Sequence, residues 1–405
     1  MTSRRPRYRT SLRIITVVLA GGLVASACGR APEPTTASGA ATPIVVAATF
    51  PQSGPLAVTS ASGRGVKAAI DEANANGGIR GQQITWVGYD DAYEPARMIA
   101  NARKAVQQDK ANVLVTFGGP SLAVRPFVND SKVFNLVLAG NTAFSDEQKF
   151  PYTHAAFPDL AWESTVAAQQ LAKDKPDAVV GVLGFNNDLT DSQASGLTAG
   201  GYEPDLVLKV PPTQQDVTSQ ITQMKEAGVD TVFLSVGPGQ IIGAVKYMKA
   251  VSYRPTVVVY SLASGKTDAI KALGPDAANI YTARWIADPA DPLWAEESDV
   301  PQFTKAIAGS GVESDADNLL ALMGYASGKA LVTALQNAKS SSGDDLNAAW
   351  KAIKDVPAPG LPPGETLTYG AGGRLMHSYE LVQWDGSAWQ ARGDLVDTEE
   401  AGISQ

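Results

Sequence analysis

Short runs of apolar residues alternate with segments of helical periodicity along almost the whole chain, and this rhythm limits the fold more than any other feature. Ile44-Val45-Val46-Ala47-Ala48 is a run of strand length. Val66, Ala69, Ile70 and Ala73 then fall at helical spacing, and Gly77-Gly78 ends the helix. Residues 84–89 predict a second strand. Pro95 suits the first turn of a helix with Met98, Ala102 and Val106 on one face. Residues 113–117 and 136–139 continue the series. A strand that is apolar at every position, rather than at every second one, is buried on both sides. Such strands separated by helices predict a parallel sheet covered on both faces.

The rhythm restarts after Pro158, with strands expected at 178–183, 206–210, 231–235 and 256–260. The two stretches are not sequence repeats, yet each describes a similar α/β lobe. Residues 293–355 are mainly helical in pattern. Residues 361–396 read as strands and turns, with Asp385-Gly386 as a hairpin turn between 381–384 and Trp389. A chain of 405 residues has room for two or three such units.

The first thirty residues have another character. Arg4, Arg5, Arg7, Arg9 and Arg13 occur with no acid, an apolar stretch runs over 14–24, and Ala25-Ser26-Ala27 precede Cys28. A charged start, a short apolar centre and small residues at a cleavage point describe a secretory leader over 1–27. The apolar centre is too short to span a bilayer, which takes roughly 20 residues. Ser3-Arg4-Arg5 touches on a twin-arginine signal, but Pro6, Arg7 and Tyr8 follow instead of an apolar pair, so general export is the default. Residues 28–43 are mostly Ala, Pro, Thr, Ser and Gly, with almost nothing to bury. They form a semi-extended tether of about 45 Å at about 3.1 Å per residue.

Cys28 is the only cysteine, which excludes a disulfide framework and a paired-thiolate zinc site. With only His154 and His377, a histidine metal cage is excluded as well, and no cofactor or metal is expected. The formal charge of −8 argues against nucleic acid as a partner. Loss of residues 1–27 leaves 28 basic against 41 acidic residues, a charge of −13.

Several catalytic motifs are approached and missed. Gly237, Gly239 and Gly243 follow a predicted strand, but the spacing is G-x-G-x-x-x-G and no acid follows 256–260 to hold a ribose. Gly265-Lys266-Thr267 ends like a phosphate loop, yet Tyr260 stands where its upstream glycine belongs. Neither G-x-S-x-G nor S-x-x-K occurs. Asp90, Asp91 and Glu94 could serve acid–base work or hold a cation, or simply form the loop before the helix at Pro95. His154 has no acid or nucleophile tied to it by spacing. A secreted enzyme is thus the weaker reading.

Longer motifs carry a family. Ser53-Gly54-Pro55-Leu56-Ala57, then 74–81 (NANGGIRG), then Tyr89-Asp90-Asp91 with Pro95 resemble the first lobe of extracytoplasmic solute-binding proteins of the branched-chain amino-acid-binding type, the type I periplasmic binding proteins of ABC importers. Residues 216–220 and 227–230 resemble the second lobe of that family. Residues 118–123 and 132–134 resemble a branch that takes hydrophobic or aromatic solutes. The likeness runs from about Ile44 to Val396. Ala27-Cys28 resembles the lipobox of bacterial lipoproteins, with Ala25 in place of the usual leucine, which implies a lipid on Cys28.

The resemblance implies two Rossmann-like lobes with parallel sheets covered by helices, joined by three hinge crossovers. Lobe 1 would comprise 44–159 and 287–377, and lobe 2 would comprise 160–286 and 378–405. It implies a small solute in the cleft, ABC permease subunits as partners, a monomer, and a place on the outer face of the bacterial cell membrane. A ligand-sensing receptor of the same fold is the alternative. The crevice loops would supply Ser53, Pro55 and Leu56, then Pro120, Ser121 and Leu122, then Gly140, Asn141 and Thr142. Asn186, Leu189, Gly237 and Leu262 would come from the second lobe. In the family, a hydroxyl of the second loop and a threonine of the third bind the ligand carboxylate, roles that fall on Ser121 and Thr142. An ordinary helix cap is the other reading of each. Amino-acid binders also place an acid after the strand at 256–260, whereas residues 261–265 contain none. Leu189-Thr190 replaces an aromatic-glycine step, and Val236-Gly237-Pro238 offers no tyrosine. The pocket is therefore expected to be apolar with a few hydroxyls, for a hydrophobic or aromatic acid or an amino-acid-like solute.

Overall fold

The computed structural model describes residues 43–265, 269–291 and 299–403. The expected leader, Cys28 and all but the last residue of the tether lie outside the described residues.

The first sheet contains β1 (Ile44–Phe50), β2 (Ile84–Asp90), β3 (Val113–Phe117), β4 (Phe134–Leu138) and β5 (Thr153–Ala155) in the order β2-β1-β3-β4-β5, with every pair parallel. The helices α1 (Ala61–Ala75), α2 (Pro95–Gln107) and α3 (Arg125–Asp130) cross between its strands. β1 explains why its sequence is apolar throughout. Val46 and Ala48 face one core with α1, while Ala47 faces a second core with Met98, Ala102 and Val128 from α2 and α3.

The chain then enters α4 (Leu160–Ala172) and a second sheet built from β6 (Val180–Phe185), β7 (Leu206–Val210), β8 (Thr231–Ser235), β9 (Thr256–Val259) and β10 (Ile280–Arg284). These run parallel in the order β7-β6-β8-β9-β10, with α5 (Asp188–Ala199), α6 (Thr218–Glu226) and α7 (Pro238–Ala250) between them. After β10 the chain returns to the first lobe as α8 (Val300–Gly309), α9 (Leu319–Asn337) and α10 (Gly343–Lys351). Phe303, Leu322, Tyr325 and Trp350 from these helices share a core with Ile44, Val46 and Phe134. Helices α1 and α9 touch backbone to backbone, since a Cβ on Gly324 would lie 1.8 Å from the Ser62 carbonyl oxygen. A third passage leads to β11 (Ser378–Trp384), which adds to β10 antiparallel and itself pairs with β12 (Trp389–Ala391) and β13 (Val396–Asp397). The expected hairpin forms here, with Asp385 Oδ1 accepting the Ser387 and Ala388 N–H groups at 2.8 and 2.9 Å.

Arg374 fixes the first passage to the third. It is fully buried and donates to the carbonyl oxygens of Phe157 and Asn141 at 3.2 and 2.9 Å, and to Asp159 Oδ2 at 3.3 Å. Asp159 is the N-cap of α4. Its Oδ1 accepts the Ala161 N–H and the Thr142 hydroxyl, both at 2.9 Å. One ion pair thus ties the third crevice loop, the entry to the second lobe and the return strand together.

Candidate functional site

In open α/β sheets the crevice for a ligand lies beyond the carboxyl ends of the strands, where helix starts leave N–H groups free. Here the two sheets direct those ends at each other, and their loops interlock. Leu56, after β1, is 7% exposed and packs into the apolar cluster of the second lobe beside Phe185. Leu262, after β9, packs the other way, against the core of the first lobe. The Thr142 N–H crosses to Ser192 Oγ on α5 at 3.1 Å. The lobes are closed on a cavity of about 50 Å³. Its walls are Leu56, Phe117, Leu138, Gly140 and Asn141 on one side, and Phe185, Asn187, Leu189, Tyr260 and Leu262 on the other, with Tyr93 between them. None of the described residues lining it carries a charge.

Tyr93 owes its position to the acidic loop. Ala92 and Tyr93 both have left-handed backbones, at φ 50° and 64°, a conformation that non-glycine residues hold only when their surroundings enforce it. Asp90 Oδ1 accepts the Ala92 N–H at 3.0 Å, and Asp91 Oδ1 accepts the Tyr93 N–H at 2.8 Å. Asp91 is itself buried and takes the Thr49 hydroxyl at 2.8 Å. The turn lays the phenol over Gly118-Gly119, where a Cβ on Gly118 would stand 2.8 Å from the ring. The Gly119 N–H donates to Tyr93 Oη at 3.3 Å. Burial raises this phenol to a pKa of about 12. The same cause lifts Tyr260 above the ordinary phenol range.

Of the residues expected from the sequence, Leu56, Gly140, Asn141, Leu189 and Leu262 line the cavity. Gly237 stands just behind Leu56, its Cβ position 3.4 Å from Leu56 Cδ2. Ser53 and Pro55 are exposed, and Ser53 Oγ donates to Asp90 Oδ2 at 2.6 Å. Pro120 and Ser121 are buried outside the cavity lining, with Ser121 Oγ lacking a partner among the described residues. Leu122 packs with Val137 and Phe144. The Thr142 hydroxyl is engaged by Asp159, and Asn186 is exposed beside the lining Asn187. The aromatic residues Tyr93, Phe117, Phe185 and Tyr260 were not anticipated. Phe117 and Tyr260 close predicted strands, Phe185 lies two residues past one and Tyr93 sits inside an acidic loop, so only the meeting of those strand ends would have marked them.

Acid does approach the second lobe's loop, from α4. Glu163 is 5% exposed, and its carboxyl accepts the Ser261 N–H at 2.7 Å and the Ser261 hydroxyl at 2.6 Å. The Trp285 indole N–H donates to Ser261 Oγ at 3.1 Å. Desolvation by burial outweighs those two hydrogen bonds and lifts Glu163 to a pKa of about 8.

The groups weighed for catalysis lie elsewhere or are engaged. Asp90 and Asp91 hold the Tyr93 turn. His154 is buried in lobe 1, stacked on Phe134 at 4.8 Å with Nε2 2.9 Å from Asn347 Oδ1. Among the described residues no group of three or more His, Cys, Asp or Glu is placed to hold a metal, and no helix is long and apolar enough to cross a membrane. A roomier groove of about 640 Å³ runs past Met248, Arg254, Thr256 and Ile280. It lies at the amino ends of β9 and β10, away from the crevice and its helix starts.

A family model described as periplasmic binding protein matches residues 43–390. A Leu/Ile/Val-binding protein homolog 2 from Brucella abortus is 28% identical over 175 residues, which is 42% of this chain and 47% of that one, so the match spans about half of the relative. The Leu/Ile/Val-binding protein BraC3 of Rhizobium johnstonii is 25% identical over 84% of this chain and 92% of its own. A branched-chain amino acid ABC transporter protein from Thermus thermophilus with bound valine superposes with a TM-score of 0.79 at 14% identity, covering 88% and 96% of the two chains. A fatty acid ABC transporter substrate-binding protein from Thermomonospora curvata gives 0.72 at 18%, covering 89% and 94%. An R. palustris solute-binding protein in complex with benzoate gives 0.73 at 17%, covering 88% and 98%.

Proposed function

Because the chain belongs to the periplasmic binding protein family, we propose that it is the extracytoplasmic solute-binding component of an ABC importer. It captures a small hydrophobic or aromatic carboxylate, or an amino-acid-like solute, between its lobes and delivers it to the permease subunits. The observation that carries this reading is the uncharged, largely apolar cavity at the facing ends of the two sheets, held shut by Leu56 and Leu262. The structural relatives include a protein with bound valine, a fatty acid transporter's substrate-binding protein and a protein in complex with benzoate. Within that range the lining favours solutes without an ammonium. Leu262 occupies the loop where an acid would be needed, and a buried unpaired ammonium costs several kcal/mol. Closing two lobes on a solute gives the permease a shape to distinguish from the open form.

The protein works without catalysis, as a monomer, with lobes at 44–159 plus 287–377 and 160–286 plus 378–405. Cys28 carries the lipid that holds it to the membrane, and residues 28–43 are its tether. Two measurements test this. A thermal-shift screen over amino acids, aromatic acids and fatty acids should find a solute that raises the unfolding temperature and is recovered unchanged. Chemical turnover of the solute would contradict the binding role. Cys28→Ala should move the protein from the membrane fraction to the soluble one, and full retention on membranes would contradict the anchor.

A further inference from the structure

Taking the cleft reading above as its basis, we propose that Tyr93 and Tyr260, one phenol from each lobe, together hold the carboxylate of an otherwise apolar acid. Both side chains line the same cavity, Tyr93 from the loop after β2 and Tyr260 from the residue that follows β9. The Gly119 N–H already donates to Tyr93 Oη, so that oxygen is used as an acceptor and its own hydrogen needs an acceptor in turn. Tyr260 Oη has no hydrogen-bond partner among the described residues, although its ring is packed against the second-lobe core. The Asn141 amide also lines the cavity, and its Oδ1 is buried without a partner. Each phenol is a neutral donor throughout the physiological range, because burial keeps it protonated. Two phenol O–H donors on the lining of one uncharged cavity suit an acceptor-only group, and a carboxylate offers two oxygens with no hydrogen of its own.

The same lining disfavours an ammonium. No carboxylate is among the lining residues, and the buried Glu163, which reaches the loop that carries Leu262, bonds the Ser261 N–H and hydroxyl through its two oxygens. The backbone supports a dedicated role for Tyr93. Two consecutive left-handed residues, pinned by two carboxylates, and a glycine whose missing Cβ admits the ring are a costly way to place an ordinary packing residue. Because the phenols come from different lobes, a carboxylate bonded to both also bridges the closure.

The test is calorimetric titration of wild type, Tyr93→Phe, Tyr260→Phe and the double variant with benzoate and octanoate, and with benzylamine and octylamine as matched cations. Phenylalanine keeps each ring and removes only the hydroxyl, and unchanged thermal unfolding of the free variants checks that they are folded. Wild type should bind at least one acid at least ten-fold tighter than its matched amine. Each single variant should lose about ten-fold on that acid, as expected for one hydrogen bond to a charged group. Equal binding of acid and amine, or acid affinity unmoved in both variants, would overturn the phenol pair and leave the cleft reading intact. Failure of the wild type to bind any of the four would overturn the apolar cleft reading and the pair with it.

Discussion

Replacing Glu163 by glutamine should stabilise the protein by an amount that grows with pH. The carboxyl is 5% exposed, and its oxygens accept the amide and hydroxyl of Ser261, with no cationic side chain paired to it among the described residues. Burial moves it from an ordinary 4.5 to about 8, which at about 1.4 kcal/mol per pH unit corresponds to roughly 5 kcal/mol. The sign follows from proton counting. Below pH 4.5 both folded and unfolded states hold the proton, and the full stability is present. Between 4.5 and 8 the unfolded chain has released it while the folded protein retains it, so stability falls as pH rises. Glutamine has no proton to lose. Its amide oxygen can accept the Ser261 N–H while its NH₂ donates to Ser261 Oγ, so the geometry survives. Urea unfolding of both proteins at pH 5, 6, 7 and 8 should therefore show the variant gaining about 1 kcal/mol or more on wild type with each step. A difference that stays constant across the series would refute the argument, because it would mean that Glu163 ionises in the folded protein as it does in water.

Two further substitutions probe the crevice and its hinge. Gly118→Ala places a methyl group 2.8 Å from the Tyr93 ring at a backbone of φ 69°, ψ −166° that suits only glycine. It should cost about 1–3 kcal/mol in urea unfolding and weaken solute binding ten-fold or more. Arg374→Leu leaves Asp159 buried without its cation and should cost about 3–5 kcal/mol. An Arg374→Leu protein as stable as wild type would mean that the hinge is fixed by other contacts.

Much of the fold was legible because its strands bury both faces. Ala47 and Val46 go to different cores, and that shows in the sequence as an unbroken apolar run. The Asp385-Gly386 turn was equally readable, since its geometry is local. The antiparallel docking of β11 on β10 was not, because it joins residues about a hundred positions apart across an excursion into the other lobe. The site divides in the same way. Leu56, Asn141 and Leu262, which line the cavity, are named through the resemblance to the family's crevice loops. Tyr260 is not, because nothing in a strand's pattern says whether its last side chain faces a helix or a cavity. The acids at 90 and 91 stand out in the sequence for their charge, whereas their contribution is to turn the backbone that carries Tyr93. Glu163 meets Ser261 across 98 positions and Arg374 meets Asp159 across 215, distances over which one sequence offers no pairing signal.

In the proposed function an apolar solute sits between the lobes, in contact with both. A crystal structure of the protein grown with the tightest-binding acid from the screen tests this most directly. The solute should be enclosed by Leu56, Phe117, Phe185 and Leu262, with its carboxylate within hydrogen-bond distance of Tyr93 Oη and Tyr260 Oη. A solute found instead in the groove past Met248, Arg254 and Ile280, with the interlobe cavity unchanged, would contradict it.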